Sequence, residues 1–367
     1  MEINLVENCY KDKKVFITGH TGFKGSWMLL MLKEFGAIVK GYALEPETEN
    51  DLYNLIDGDS LCTSVINDLR NNDQLLNEII DFQPDFIFHL AAQAQVLMGY
   101  EKSRDTFEVN VMGTINLLEA IKSLQKDCHT IIITTDKVYR NNEWEYSYRE
   151  NDQLGGKDPY SNSKACSELA VDSYRSSFFS SPSSRFNQLI TVARAGNIIG
   201  GGDWSKNRII PDFVKSIQKK TSLVVRSPRA IRPWQFVLDP IYGYLVLGYY
   251  SFADPNLFST YKDFNLGPKT KDCIPVRDLI EKCIHYLRKG ELVVQENEEL
   301  QKKESTFLML DTTKIELSLG FFPLLELNQG IQWTMDWYKE FIEKPHNVKE
   351  FSKKQCKNYI KLRNEPI

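Results

Sequence analysis

Two pairs of residues in this sequence each contain a lysine and a second side chain that can gain or lose a proton. Asp136 and Lys137 are neighbours in TTDKVY, directly after an apolar run, and Tyr160 and Lys164 are four residues apart in DPYSNSK. Residues four apart share one face of a helix, so we expect the ammonium group of Lys164 to lower the pKa of Tyr160 from its usual ~10. A tyrosinate of this kind can take the proton of a sugar hydroxyl group.

The pair Asp136 and Lys137 adds a second acid and a second base to this chemistry. Oxidation or 4-epimerisation of a sugar needs only a hydroxyl donor, such as Thr135, together with Tyr160 and Lys164. Removal of water also needs a base for the C5 proton and an acid for the departing C6 hydroxyl, and burial favours the uncharged forms suited to those tasks. We therefore predict that Lys137 is the base and Asp136 the acid; a solvated pair of charges at a strand end is the alternative.

A glycine-rich turn near the N-terminus has the spacing of a dinucleotide-binding loop. Gly19, Gly22 and Gly25 follow the apolar run KVFIT and open a helical pattern. Gly19 permits a tight turn, Gly22 lets the backbone approach a pyrophosphate, and Gly25 lets the helix pack closely on the strand. The expected cofactor is NAD rather than NADP, because no arginine stands near Glu45, where the second apolar run ends.

The elements that must position these residues alternate between apolar runs and helical patterns, which predicts an α/β fold with a doubly wound, Rossmann-like parallel sheet. Tyr-x-x-x-Lys occurs often by chance, but here it follows the fifth predicted strand of such a fold. The six predicted strands are KVFIT (14–18), AIVKGYAL (37–44), CTSVI (62–66), DFIFHL (85–90), HTIIITT (129–135) and LITVARA (189–195).

The composition of the chain changes after its sixth predicted strand: glycines cluster there, and the predicted helices and strands become shorter. We predict an NAD-binding domain at 1–195 and a smaller, mostly substrate-binding lobe at 196–345, with some segments returning to the first domain. Shorter elements are expected near 208–220, 239–251, 276–288 and 328–343, and a strand in SLVVR. The basic stretch at 346–367 is predicted to be a peripheral tail with a solvated face; an oligomer contact is the alternative.

Composition excludes several classes of protein. The net charge of −4 argues against a nucleic-acid partner, and no stretch approaches the length of apolar residues that a membrane span needs. The seven cysteines are scattered without a C-x-x-C pair, which argues against a metal site and for reduced thiols. No signal peptide is visible, so we expect a cytoplasmic protein without a metal.

Several blocks of the sequence resemble the CDP-glucose 4,6-dehydratases, which are NAD-dependent enzymes of the extended short-chain dehydrogenase/reductase type. The blocks are GHTGFKGSW, HLAAQ, TTDKVY, GGKDPYSNSKACSEL, ARAGNIIGGGDW and RPWQFVL. Related dTDP-glucose dehydratases have Asp-Glu where this chain has Asp136-Lys137. The resemblance implies NAD contacts from Gly19, Thr21, Gly22, Phe23, Lys24, Gly25, Asp68, Leu69, Leu90, Ala91, Ala92, Gln93, Tyr160 and Lys164, with Asp68 at the adenine. It implies substrate contacts from Asn197, Trp204, Arg208, Arg229 and Arg232.

Two positions depart from the pattern of that family. Leu97 stands where the family has an arginine, and Phe236 stands where it has a histidine. A dehydratase for another nucleotide sugar, or an epimerase or reductase on the same fold, therefore remains an alternative to a CDP-glucose dehydratase. The resemblance also implies a homodimer, or a dimer of dimers, with contacts through helices near 105–124 and 160–179.

Overall fold

The centre of the fold is a seven-stranded parallel sheet. The computed structural model describes residues 4–179, 186–295 and 307–365. The strand order is β3-β2-β1-β4-β5-β6-β11, which is the doubly wound order with one strand added at the β6 edge. These strands are β1 (Lys14–Thr18), β2 (Ile38–Ala43), β3 (Thr63–Ile66), β4 (Phe86–His89), β5 (Cys128–Thr135), β6 (Gln188–Ala195) and β11 (Asp263–Leu266).

Helices cover both faces of this sheet, which explains why its central strands are apolar on both sides. In β1, Val15 and Ile17 belong to one core and Phe16 to the other, because successive side chains point to opposite faces. All eight residues of β5 are buried. The prediction of a Rossmann-like α/β fold is confirmed, and each of the six predicted strands lies within one residue of its predicted bounds.

The helices of the first half are α1 (Asn4–Tyr10), α2 (Phe23–Glu34), α3 (Leu52–Leu55), α4 (Asn72–Phe82), α5 (Val96–Glu101), α6 (Ser103–Phe107), α7 (Gly113–Lys122) and α8 (Pro159–Tyr174). A π-helical turn, Glu108–Met112, joins α6 to α7, and a second one, Arg175–Phe179, follows α8. The side chain of Asp158 caps α8 by accepting a hydrogen bond from the N–H of Ser161 at 3.0 Å, and Pro159 occupies the first turn.

The second half contains short strand pairs and further helices. The strands pair as β7 (Ile198–Ile199) with β10 (Gln235–Phe236), β8 (Leu223–Val225) with β13 (Leu292–Val294), and β9 (Ile231–Pro233) with β12 (Cys273–Pro275). The helices are α9 (Ile209–Lys219), α10 (Leu238–Ala253), α11 (Pro255–Thr260), α12 (Val276–Leu287), α13 (Thr313–Leu319), α14 (Leu327–Glu343) and α15 (Val348–Asn364). The division of the chain at 195 and 345 stays a prediction; β11, from the second segment, lies in the main sheet.

The tail forms α15, whose inner side is buried through Val348, Ser352, Cys356 and Tyr359. Arg363, near its end, reaches the buried carboxylate of Asp239 on α10 at 3.2 Å. Within the described ranges, no helix has both the length and the apolar character to cross a membrane, and no cluster of metal-ligating side chains occurs.

Candidate active site

A cavity of about 460 Å³ lies at the carboxyl ends of the central strands, partly enclosed by α9 and the segments around β8 and β9. Open α/β sheets bind their ligands at this edge. The cavity brings together residues that are far apart in the sequence. The predicted site residues that line it are Phe23, Lys24, Leu90, Ala92, Thr135, Lys137, Tyr160, Lys164, Asn197, Arg208 and Arg232.

The glycine-rich turn joins β1 to α2 at one side of this cavity. Gly19 has φ +79°, and a Cβ atom there would lie 2.6 Å from the backbone nitrogen of Ala91. A Cβ atom on Gly25 would lie 2.1 Å from the carbonyl oxygen of Gly19, so the turn and the helix can approach only with glycine. Gly22 differs, because its Cβ would make only an ordinary contact of 3.4 Å. Packing within the protein does not require glycine at 22, whereas a pyrophosphate at the N-terminus of α2 would, so these residues fit a dinucleotide.

Some predicted cofactor residues are held by the protein itself. The Thr21 hydroxyl donates to the carbonyl of Leu44 at 2.8 Å, and the Gln93 amide donates to the Thr106 hydroxyl at 2.8 Å. Their side chains therefore fix the loops after β1 and β4, and a contact of either residue with a cofactor stays a prediction.

Asp68 and Leu69 lie at the end of β3 and are not part of the cavity lining. The guanidinium of Arg70 donates to both oxygens of Asp68, to Oδ1 at 3.0 Å and to Oδ2 at 2.6 Å, and holds the pKa of that carboxyl below its usual range. Leu69 is buried where Gly113 leaves room for it on α7. A contact of Asp68 with adenine stays a prediction, and the paired Arg70 would be part of that contact.

Tyr160 and Lys164 lie on α8 and both line the cavity. The Lys164 ammonium donates to the carbonyl of Ile133 in β5 at 3.0 Å, and burial lowers its pKa to about 8. We predicted that Lys164 lowers the pKa of Tyr160 below its usual value. This prediction is wrong, because burial raises that pKa to about 12. A hydrogen bond with Thr135 and the charge of Arg208 oppose the shift without overcoming it.

Asp136 and Lys137 are hydrogen-bonded to each other, with Asp136 buried and Lys137 partly exposed. Lys137 Nζ donates to Asp136 Oδ1 at 2.9 Å, and the Thr135 hydroxyl donates to the same oxygen at 2.9 Å. Asp136 is completely buried, and its Oδ2 has no hydrogen-bond partner within the described residues. Lys137 Nζ is also 3.5 Å from Asn197 Oδ1. The alternative of a solvated pair at a strand end is therefore excluded for Asp136.

Positive charge dominates the part of the cavity where a diphosphate could bind. Arg208 and Arg232 line it, and Arg208 donates to Asp203 Oδ2 at 3.0 Å. Lys24 also lines the cavity; burial and the nearby charges of Arg208 and Lys164 lower its pKa to about 7. Such a cluster of guanidinium and ammonium groups suits phosphate oxygens.

Two predicted substrate residues lie elsewhere. The Trp204 ring packs against Tyr338 and Phe341 of α14, with ring centroids 5.4 and 4.9 Å apart, so it belongs to the core and not to the cavity wall. Arg229 is exposed in the loop after β8 and does not line the cavity. Contacts of Trp204 and Arg229 with a substrate stay predictions, and neither residue is part of the cavity lining.

The two positions that depart from the related family differ in importance. Leu97 lines the cavity, so the missing arginine affects the site directly. Phe236 is buried and faces Trp333 and Gly330 on α14, outside the cavity. Only Leu97 of these two is placed to touch a substrate.

Sequence reasoning missed Asn110, a buried side chain that ties the loop after β4 to α8. Asn110 donates to the carbonyl of Gln93 at 3.0 Å and to the Ser163 hydroxyl at 2.8 Å, and it accepts from the Gln93 N–H at 2.8 Å. Ser163 in turn donates to the carbonyl of Tyr160 at 2.7 Å. The available signal was an asparagine inside the apolar helical run EVNVMGTINLL.

A buried ion pair next to the predicted catalytic residues was also missed. Glu168 on α8 binds Arg194 in β6 at 2.5 Å, and Thr134 in β5 donates to Glu168 at 2.5 Å. Burial raises the pKa of Glu168, while Arg194 opposes that shift. The pair joins α8 to two strands, so it fixes Lys164 relative to the end of β5.

The parallel sheet, the glycine turn and the Tyr160–Lys164 pair define a short-chain dehydrogenase/reductase of the extended type. The sequence model of the GDP-mannose 4,6 dehydratase family matches residues 16–334. A CDP-glucose 4,6-dehydratase of Salmonella typhimurium is 39% identical over 356 residues, which are 96% of this chain and 98% of that protein. The chain belongs to the GDP-mannose 4,6 dehydratase family, and the resemblance seen in the sequence is confirmed.

Solved structures support the fold alone. The UDP-glucose 4-epimerase of Thermotoga maritima superimposes with a TM-score of 0.76 at 20% identity, covering 90% of this chain and 100% of that one. A dTDP-glucose 4,6-dehydratase of Bacillus anthracis in complex with NAD gives a TM-score of 0.74 at 19% identity, covering 91% and 98%. Epimerases and dehydratases thus share this architecture, and the site residues must distinguish between them.

Proposed function

We propose that this chain is an NAD-dependent nucleotide-sugar 4,6-dehydratase, a hydro-lyase whose substrate is a CDP-hexose, with CDP-glucose as the first candidate. The observation that carries the proposal is that Lys137, which lines the cavity together with Thr135, Tyr160 and Lys164, is hydrogen-bonded to the carboxylate of Asp136, buried directly behind the lining. The 39% identity to a CDP-glucose 4,6-dehydratase supports the choice of substrate. An epimerase has no use for this second acid and base.

Bound NAD supplies the acceptor and then the donor of the hydride that leaves C4 and returns to C6. Tyr160 takes the proton of the C4 hydroxyl once ligand binding offsets the burial that raises its pKa. Thr135 holds the C4 oxygen by turning its hydroxyl, which otherwise donates to Asp136. Lys164 lines the same cavity and is held there by its hydrogen bond to the Ile133 carbonyl. We expect the diphosphate to lie among Asn197 and the charges of Arg208 and Arg232, all of which line the cavity.

The hydrogen bond within the Asp136–Lys137 pair prepares both groups for elimination of water. Transfer of one proton from Lys137 Nζ to Asp136 Oδ1, across 2.9 Å, turns the ion pair into a neutral amine and a carboxylic acid. The amine takes the C5 proton and the acid protonates the departing C6 hydroxyl. Lys137 then returns its proton to C5 when the C5–C6 double bond is reduced.

The proton balance closes if the Thr135 hydroxyl, which donates to Asp136 Oδ1, also accepts a proton from Tyr160. Each turnover leaves Tyr160 with the proton from the C4 hydroxyl and Asp136 without the proton lost in water. Passage of one proton along the Thr135 hydroxyl restores both groups. Thr135 would therefore act in both halves of the reaction.

The test of this function is the fate of deuterium placed at C4 of CDP-glucose. We expect a product lighter by one water, with the label at C6 of the same molecule and no net change in NAD. A product of unchanged mass with inverted C4 would indicate an epimerase, and net formation of NADH would indicate a dehydrogenase. Either result would overturn the proposed function.

We also propose that the active form is a homodimer or a dimer of dimers in the cytoplasm. The helices α7 and α8 and the π-helical turns beside them expose the large apolar side chains Met112, Leu169 and Phe178 on the predicted contact surface. All seven cysteines are unpaired, which suits a reducing compartment. Leu169→Asp should lower the mass found by sedimentation; a wild-type chain that is monomeric at micromolar concentration would contradict the dimer.

A further inference from the structure

The part of the cavity formed by the C-terminal segments differs in chemistry from the catalytic part. Its walls include Leu223 and Val225 of β8, Pro211 and Asp212 at the start of α9, and Arg226 after β8. Leu223, Pro211 and Val225 are buried apolar residues. Apolar walls together with a carboxylate and a guanidinium suit a flat heterocycle that carries hydrogen-bonding groups on its rim.

Four carboxylates line the cavity, and three of them are bound to other groups of the protein. Glu143 accepts hydrogen bonds from a backbone N–H and from an asparagine side chain, Asp158 caps α8, and Asp203 binds Arg208. Asp212, which is half-buried, makes no side-chain hydrogen bond or ion pair with any residue that the structure describes. Burial raises the pKa of its carboxyl, and the charges of Lys215 and Arg226 oppose that shift.

The catalytic and cofactor parts of the cavity are assigned to the sugar and the dinucleotide, so the base of the nucleotide sugar must occupy the remaining part. We propose that Asp212 recognises the base by accepting a hydrogen bond from the exocyclic N4 amino group of cytosine. This assignment rests on the proposed function, because it takes the ligand to be a nucleotide sugar. It names the residue that selects the nucleotide at that same site.

The chemistry of the bases explains the choice of cytosine. Cytosine presents an amino donor at C4, and aspartate is a suitable acceptor for it. Uracil and thymine present a carbonyl oxygen at that position, which a carboxylate repels. Arg226 lies at the same end of the cavity and can donate to the oxygen that all three pyrimidines carry at C2. Guanine also has donors that a carboxylate can bind, so a GDP-sugar is the rival that an experiment must exclude.

Asp212 could instead serve only to stabilise α9, because acidic residues in the first turn interact favourably with the helix dipole. The chain contains a matched control for this role. Asp278 lies in the first turn of α12, is exposed, and does not line the cavity. A change of charge at 278 reproduces the effect on a helix terminus without touching the cavity.

The experiment compares CDP and UDP as ligands of the wild type, Asp212→Asn and Asp278→Asn, with dissociation constants measured by calorimetry in the presence of NAD. We expect the wild type to bind CDP more tightly than UDP. Asp212→Asn should lower the CDP/UDP preference by on the order of 10-fold or more, because one base-specific contact of this kind is lost. Asp278→Asn should leave the preference within about twofold.

Turnover with CDP-glucose separates the failure of this inference from failure of the proposed function. Asp212→Asn should raise KM and leave kcat nearly unchanged, since the residue binds the base and not the reacting atoms. A wild type that dehydrates CDP-glucose while Asp212→Asn keeps the full CDP/UDP preference would overturn the role of Asp212 alone. Tighter binding of GDP than of CDP by the wild type would overturn the assignment to cytosine. Absence of dehydration with any nucleotide hexose would contradict the proposed function instead.

Discussion

The two ends of the cavity are built in different ways. At the catalytic end, hydrogen bonds within the protein hold Lys164 to a backbone carbonyl, and Lys137 and Thr135 to Asp136. At the nucleotide end, short strand pairs and the start of α9 present Asp212 without a side-chain partner in the described part of the chain. The catalytic groups are thus fixed before a ligand binds, whereas the selective group at the other end depends on the ligand for its hydrogen bond.

This difference agrees with the demands on each end. Proton transfer requires distances held to a fraction of an ångström, which a central parallel strand and a packed helix provide. Selection of a nucleotide needs only a few directed contacts, and segments outside the main sheet can change without disturbing the chemistry. Members of one fold can therefore share a catalytic end and differ in the nucleotide that they bind.

The largest expected effects come from two substitutions at the catalytic end. Tyr160→Phe removes the base for the C4 hydroxyl, so oxidation and all later steps should slow by ~10²–10⁴-fold. Lys137→Met should leave oxidation of C4 possible but prevent removal of the C5 proton. It should accumulate reduced cofactor with a bound 4-keto sugar, which single-turnover absorbance of the nicotinamide would detect.

Exchange of the C5 hydrogen in heavy water distinguishes the two variants further. The wild type should place deuterium at C5, Lys137→Met almost none, and the exposed control Lys219→Met as much as the wild type. Wild-type exchange in Lys137→Met would mean that the base lies elsewhere. Near wild-type turnover of Tyr160→Phe would mean that its role on α8 is structural.

A smaller effect, on KM, is expected for two predicted substrate residues that differ in their position relative to the cavity. Arg232 lines the cavity and Arg229 does not. Arg232→Ala should raise KM for the nucleotide sugar on the order of 10- to 100-fold, as expected for loss of a charge-assisted hydrogen bond. Arg229→Ala should change KM by less than about threefold, in line with a substitution on the protein surface.

Folding of these variants is checked by circular dichroism, because Arg232 is buried. Arg232→Lys keeps the charge without the planar fork and should fall between the wild type and Arg232→Ala. Equal increases of KM for Arg229→Ala and Arg232→Ala would show that the sugar nucleotide extends beyond the cavity lining. The distinction between the two arginines would then be wrong.

Six strands of the main sheet were predicted from the sequence and the seventh was not, for a physical reason. Strands such as KVFIT and HTIIITT are apolar runs between turns, so their bounds and the residues at their ends follow from local pattern. The strand β11 was not predicted, because it is short and its apolar residues alternate with the polar residues Asp263 and Asn265. It also pairs with a strand that precedes it by some 70 residues.

Side-chain direction and burial could not be read from the sequence. Trp204 turns away from the cavity because Tyr338 and Phe341 on α14, distant in the chain, provide an aromatic pocket for it. The pKa of Tyr160 depends on whether desolvation or nearby charge is stronger, and only the packed structure shows that burial dominates among the protein groups. Asp212 gave no signal, since an acidic residue in the first turn of a helix is common.

The smallest expected effect concerns the pH dependence of stability, through the buried ammonium of Lys164. Its pKa is about 8 in the folded protein, lowered by burial, and ~10.4 for an unfolded chain. Between these two pKa values the unfolded state binds more protons than the folded state, so the free energy of unfolding rises with pH. The physical cause is that the folded protein no longer has to bury a charged ammonium group. From pH 8 to 9.5 this group alone should raise the free energy of unfolding by about 1.5 kcal/mol.

Lys164→Met should lack that increase, whereas the exposed Lys219→Met should retain it. Urea unfolding of the three proteins at both pH values gives the difference directly, in which the contributions of other titrating groups cancel. An equal rise in the free energy of unfolding of the wild type and of Lys164→Met would show that Lys164 is not desolvated in the folded protein. The argument that the catalytic groups are fixed by packing, unlike Asp212 at the nucleotide end, would then be weaker.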